Sequence, residues 1–117
     1  MNILILFTHW VADFVLQTRW MADNKSKRWD ALGLHVGVYT LTFLLVMLFC
    51  ANWLIALQFC AINGALHFLT DAITSRVTSY FWKEKKVAAF FMVIGFDQFI
   101  HSSTLLLTAS WFLEVHP

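Results

Sequence analysis

The chain has 117 residues, 60% of them apolar and 17% aromatic, with only 13% charged and a formal net charge of +1 at pH 7. A water-soluble domain of this length needs roughly a quarter of its residues charged to cover its surface, so the composition excludes an ordinary soluble globular domain. A near-neutral balance leaves no basic footprint for nucleic acid, and the class that remains is a single integral membrane domain, residues 1–117.

A helix needs about 20 mostly apolar residues to cross the hydrocarbon. In chain order the apolar stretches predict spans at about 2–18, 31–51, 53–72 and 87–113, an all-α four-helix transmembrane bundle. No basic segment precedes Ile3 and no small-residue cleavage site follows the first stretch, so a cleaved signal peptide is not expected. The sole proline, Pro117, is the last residue, so no proline kink is expected.

Between the first and second stretches lies "RWMADNKSKRWD", and between the third and fourth "SRVTSYFWKEKK". All eight basic residues (Arg19, Lys25, Lys27, Arg28, Arg76, Lys83, Lys85 and Lys86) fall in these two connections. Basic loops stay cytoplasmic, so the expected topology is N-out and C-out with both basic loops inside. Both loops are amphipathic, suited to lie on an anionic leaflet. Trp20, Trp29 and Trp82 would mark the inner membrane boundary, and Trp53 and Trp111 the outer.

The first, third and fourth spans each hold an acid with a histidine four residues away: His9 with Asp13, His67 with Asp71, and Asp97 with His101. That spacing puts both side chains on one helix face, a turn apart. Given the alternating span directions, each Asp lies on the cytoplasmic side of its His. At about 1.5 Å per residue, Asp71 should lie near the inner boundary and Asp97 deeper, near mid-membrane. Gln17 continues the first row. Asn63, Thr70 and Thr74 share the third, and Thr104 and Thr108 the fourth, with Gln98 at its flank. The second span contributes His35, expected as a polar residue near the interface, followed by Tyr39 and Thr42. Each helix therefore has one polar stripe, and in a bundle these stripes should face one another. Gly33 and Gly37 form a GxxxG pair on the other side of the second span, read as ordinary close packing or a seam for a homo-oligomer.

Inserting one Asp at mid-membrane costs roughly 2.5–3.5 kcal/mol, so three uncompensated acids would cost roughly 8–10 kcal/mol. A divalent cation would neutralise them, and carboxylate and imidazole are ligands for Zn, Mn or Fe. The expected metal ligands are His9, Asp13, His67, Asp71, Asp97 and His101, around one or two ions, with Zn first among the metals. Gln17, His35 and Asn63 are the expected supporting residues. A metal-activated water with Asp97 as general base, and Gln98 orienting water or substrate, makes a metal-dependent hydrolase the expected activity. Its substrate would be a lipid or a phosphorylated headgroup delivered from the membrane. The rival readings are a proton or ion transport component and a non-catalytic interaction protein with a structural polar core. Cys50 and Cys60 form no metal or redox motif, and His116 belongs to a solvated tail.

The segments "HWVADFVLQTRWMADNKSK", "HFLTDAITSR" and "GFDQFIHSSTL", with His35 between the first two, resemble DUF3307, a family of small bacterial and phage membrane proteins of unknown function. The resemblance implies a multi-pass protein of a bacterial inner membrane, or that of a phage-infected host. A looser likeness is to small membrane proteins classed as metal-dependent hydrolases, which carry His and Asp in their first helices.

Overall fold

The computed structural model describes residues 1–115; His116 lies outside them. The described chain is helical throughout, with no strand. Helix α1 (Asn2–Trp10) runs directly into a π-helical turn (Val11–Val15), followed by a short α2 (Arg19–Asn24). Three long helices complete the fold: α3 (Trp29–Cys50), α4 (Trp53–Lys83) and α5 (Val87–Ala109), the last ending in a second π turn (Ser110–Val115). Three helical segments are long and apolar enough to cross a membrane: α3, α4 and Val87–Leu113. The apolar Asn2–Val15 segment is shorter.

The boundaries follow from local chemistry. Leu16 N–H donates to Val11 O at 2.9 Å, an i to i+5 bond that widens the end of the first helix. Gln17 and Thr18, expected to continue the first span, lie beyond that helix. Thr18 Oγ1 then accepts from Met21 N–H and caps α2. Asn52 Oδ1 accepts from Ile55 N–H at 2.9 Å and caps α4 immediately after α3 ends.

Helix α4 continues eleven residues beyond the expected end of the third span, so most of the predicted second basic loop is helix. The fall in hydropathy after Ala72 marks a change of surroundings rather than a helix stop, since no Gly or Pro interrupts the segment before Lys83. The helix ends in a Schellman turn, with Lys86 N–H donating to Phe81 O at 2.8 Å and Lys85 N–H to Trp82 O at 3.1 Å. Lys85 takes the left-handed position, φ 59°, where glycine is usual.

The side-chain distribution is inverted relative to a soluble protein. Phe49 (94% exposed), Ile3, Met92 and Leu107 point outward, whereas acids and histidines are buried. In α1, α3, α4 and α5 the buried stripe changes from polar to apolar in the same spatial direction. It runs His35, Tyr39, Phe43, Met47 along α3, and Asp97, His101, Leu105, Ala109 along α5. The antiparallel α4 reads in reverse: Ala56, Phe59, Asn63, His67, Asp71. The apolar half packs Ile5, Phe43, Met47, Phe59 and Leu105. The polar half lies toward the end carrying α2 and the α4–α5 turn, where Ser79 Oγ donates to Ser26 Oγ at 2.8 Å and the two basic segments meet.

The expectation of close packing within the bundle is corrected. A Cβ on Gly33 or Gly37 would meet no atom within 4 Å, so among the described residues nothing packs against these two glycines. The close approach is at Gly64, where a Cβ would stand 2.6 Å from Thr40 Oγ1, so α3 and α4 are in contact there.

Candidate metal centre

The polar stripes of α1, α3, α4 and α5 converge on one buried cluster. Asp13 Oδ1 lies 3.0 Å from His35 Nε2 and 3.6 Å from His67 Nε2. Asp71 Oδ2 lies 3.2 Å from His35 Nε2 and 3.4 Å from His67 Nε2. The two imidazole nitrogens are themselves 3.1 Å apart. Donor atoms around a tetrahedral ion with bonds of about 2.0–2.1 Å stand roughly 3.4 Å from one another. Five of the six separations among these four donors run from 3.0 to 3.6 Å, close to that value.

A second group of donors adjoins the first. Asp13, Asp97 and His101 bring ligand atoms within 4.8 Å of one another, and Asp13 is common to both groups. His101 Nε2 is 3.1 Å from Asp71 Oδ1 and 3.1 Å from Asp97 Oδ1. Asp71 thus turns one oxygen toward each group. Stacking fixes the rings: Tyr39 lies over His67 with centroids 3.9 Å apart, and His67 over His101 at 4.0 Å. Thr74 Oγ1 donates to Asp97 Oδ1 at 2.5 Å.

His9, an expected ligand, stands outside both groups. Gln98 explains why. Its amide nitrogen donates to Asp13 Oδ2 at 3.1 Å and Asp97 Oδ2 at 3.0 Å. Its oxygen therefore faces His9 Nε2, at 2.7 Å, and that nitrogen must carry the proton. The Tyr39 hydroxyl lies 3.2 Å from the other ring nitrogen. His9 is thus a residue that positions Gln98, and Gln98 in turn orients two carboxylates.

His35 was expected near the interface and is instead fully buried at the centre, in contact with both Asp13 and Asp71. Asn63 was expected to support the site; its amide donates to Phe59 O and to Thr108 Oγ1 at 2.8 Å, one turn and more away from the acids. Gln17 has a buried Oε1 without a partner. The stagger in depth between the pairs is absent, because His101 reaches Asp71 and Asp97 alike. Asp71 sits twelve residues before the end of α4.

Lys25 is the group that spacing did not reveal. The α2 strap brings its Nζ within 3.3 Å of the fully buried Asp71 Oδ2, with a fifth of the lysine side chain exposed. Three carboxylates and one ammonium leave a formal charge of −2 when the imidazoles are neutral, which is the charge one divalent cation cancels.

The comparisons with known proteins add the family. The sequence profile of a family described as protein of unknown function, DUF3307, matches residues 1–116. The chain is a member of the DUF3307 family. No curated protein and no solved structure matches it. In this DUF3307 protein the matched range contains every residue of the buried cluster, Asp13, His35, His67, Asp71, Asp97 and His101. The looser likeness to metal-dependent hydrolases has no counterpart among these matches.

Proposed function

We propose that this protein is a four-helix integral membrane protein, N-out and C-out, with an intramembrane metal centre near the cytoplasmic leaflet. The observation that carries this reading is the set of near-tetrahedral separations among Asp13 Oδ1, His35 Nε2, His67 Nε2 and Asp71 Oδ2. The orientation rests on the two basic segments meeting at one end of the bundle and on the cytoplasmic preference of such segments. One divalent ion, Zn first by its donor set, takes this group of four. Asp97 and His101 with Asp13 form a second position or a supporting one.

The activity we infer is hydrolysis of an ester delivered from the membrane. A divalent cation that took on a fifth ligand beside these four donors, or exchanged one of them, would lower the pKa of a bound water. Asp97, held by Thr74 and Gln98, is the carboxylate that would accept one proton from the attacking water and return it to the departing ester oxygen. The water oxygen adds to the ester centre, the ester bond breaks, and the second water hydrogen remains on the acid product. Against a transport path stands the far half of the bundle, where Ile5, Phe43, Met47, Phe59 and Leu105 are fully buried and close the polar stripe.

Elemental analysis of the full chain, purified in detergent and never exposed to chelator, tests the centre. Close to one equivalent of a transition metal or more is expected in the wild type, and loss of it in His35→Ala. A metal-free wild type would overturn the reading.

A further inference from the structure

The first helix is short. Asn2–Val15 is fourteen residues, about 21 Å of helix against a hydrocarbon core of about 30 Å. It ends level with Gln98, which bonds both Asp13 and His9. Helices α4 and α5 continue past that level to the turn at Lys83–Val87. Below the end of α1 the bundle therefore lacks a helix, and a cavity of about 1120 Å³ opens there between the α2 strap and the α4–α5 hairpin.

Its lining is graded. Asp71, with Lys25 on it, Asp97 and Gln98 lie at the inner end, Phe14, Phe90 and Ile94 form apolar wall, and Lys27, Lys83 and Asp23 lie toward the basic segments. Two buried polar atoms on this lining have no partner: Ser75 Oγ, on a side chain only 6% exposed, and Gln17 Oε1. Leaving such atoms unpaired costs free energy, so a ligand with complementary polar atoms gains by entering. Arg76 also lines the cavity, but its guanidinium is engaged by Ala72 O and the Trp29 ring.

We propose that this cavity is the binding site for an anionic glycerophospholipid of the cytoplasmic leaflet. The phosphate sits between Lys27 and Lys83, the Ser75 hydroxyl donates to a phosphate oxygen, and Gln17 Oε1 accepts from a headgroup hydroxyl. An acyl chain lies along Phe14, Phe90 and Ile94. Among the described residues Lys27 and Lys83 have no acid paired with them, whereas Asp23 is paired with Arg19 and Lys25 with Asp71. The free charge at this end therefore favours an anionic headgroup, and the apolar wall selects a lipid over a soluble phosphate. This assignment rests on the metal-centre reading only for the fate of the lipid, since it places the headgroup phosphate on the path to Asp97. Binding itself needs no metal.

The test is a titration of the full chain in detergent micelles, read as bound lipid by native mass spectrometry, with phosphatidic acid and phosphatidylglycerol against phosphatidylcholine and soluble glycerol phosphate. Both anionic lipids are expected to bind at one site per chain, tenfold or more above phosphatidylcholine. The Lys27→Ala/Lys83→Ala double variant should weaken them by roughly tenfold or more. Ser75→Ala should weaken them severalfold. Lys86→Ala, at the same end but outside this cavity, should change affinity less than twofold. Equal binding of phosphatidylcholine, or an equal loss in Lys86→Ala, would overturn the proposal as mere surface charge. Glycerol phosphate binding as tightly as the lipids would overturn the lipid assignment. Retained lipid binding in a chain that holds no metal would sink the metal centre and leave this site standing. Metal without lipid binding would do the reverse.

Discussion

Asp13→Asn separates a metal centre from a structural polar core. Asp13 is the one carboxylate common to both donor groups, and its side chain is 4% exposed. The substitution keeps the shape and removes one charge. The amide oxygen can keep the His35 contact while its nitrogen faces the Gln98 nitrogen, so one hydrogen bond is lost in either reading, about 1 kcal/mol. If the cluster holds an ion, the wild type gains stability from it: about 2.7 kcal/mol at a free-metal concentration one hundred times Kd. At about 4 °C per kcal/mol for a chain of this size, that is a Tm shift of about 10 °C on adding metal to chelated protein. Asp13→Asn should lose most of that shift. After chelation the two proteins should melt close together, because removing a charge from a cluster of formal charge −2 relieves repulsion and offsets the lost bond. In a structural core, the charge-assisted contact from Asp13 to His35 contributes about 1.5–3 kcal/mol regardless of metal. The variant would then melt lower by the same margin with and without chelator. Scanning fluorimetry of both proteins in detergent, with and without chelator and with stoichiometric Zn, decides the matter. A metal-independent deficit in the variant, with no metal-dependent shift in the wild type, would refute the reasoning.

Three further outcomes are expected. Gln98→Ala frees Asp13, Asp97 and His9 from their shared amide and should weaken metal affinity by about 10–100-fold, with helicity by circular dichroism unchanged; an unaltered affinity by competition with a chromogenic chelator would remove Gln98 from the site. Lys85→Gly should relieve the left-handed backbone cost of about 1–2 kcal/mol against a glycine entropy cost of roughly 0.5–1 kcal/mol, for a net gain of up to about 1.5 kcal/mol seen as a higher Tm. Gly64→Val forces side-chain atoms into the space held by Thr40 and should cost about 1–3 kcal/mol, whereas Gly33→Val, which faces open space within the chain, should leave the monomer's Tm nearly unchanged.

The three His/Asp pairs were legible because helical spacing alone puts positions four apart on one face, and burial of an acid in a greasy chain demands a partner. His35 was not, because α3 contains no acid within its apolar run to flag it. Its place shows only in the row His35, Tyr39, Phe43, Met47, which is the buried face of that helix. Lys25 was hidden for another reason: basic residues in a loop are accounted for by topology, and only the fold of the α2 strap carries one of them to Asp71. The extra length of α4 was missed because hydropathy reports the surroundings, while helix termination is set by capping, here the turn at Lys85. The reading of Gly33 and Gly37 as close packing within the bundle failed on orientation. GxxxG spacing identifies a smooth stripe but not the side on which a neighbour lies, and the neighbour came to Gly64.

The π turn at Val11–Val15 has a genetic consequence. A π turn accommodates one residue more than the α-helix it interrupts, so a single-codon deletion there would leave an uninterrupted α-helix of nearly the same length. With Val11 the residue deleted, Ala12–Val15 would each move back one position, a rotation of about 100° about the axis. Phe14 would leave the cavity wall and Asp13 would swing away from His35, while the apolar composition that inserts the segment would be almost unaltered. Such a deletion should yield a chain that reaches the bilayer in normal amount with its polar centre dismantled, making the reading frame of this one turn, more than the identity of Val11 or Val15, the inherited property.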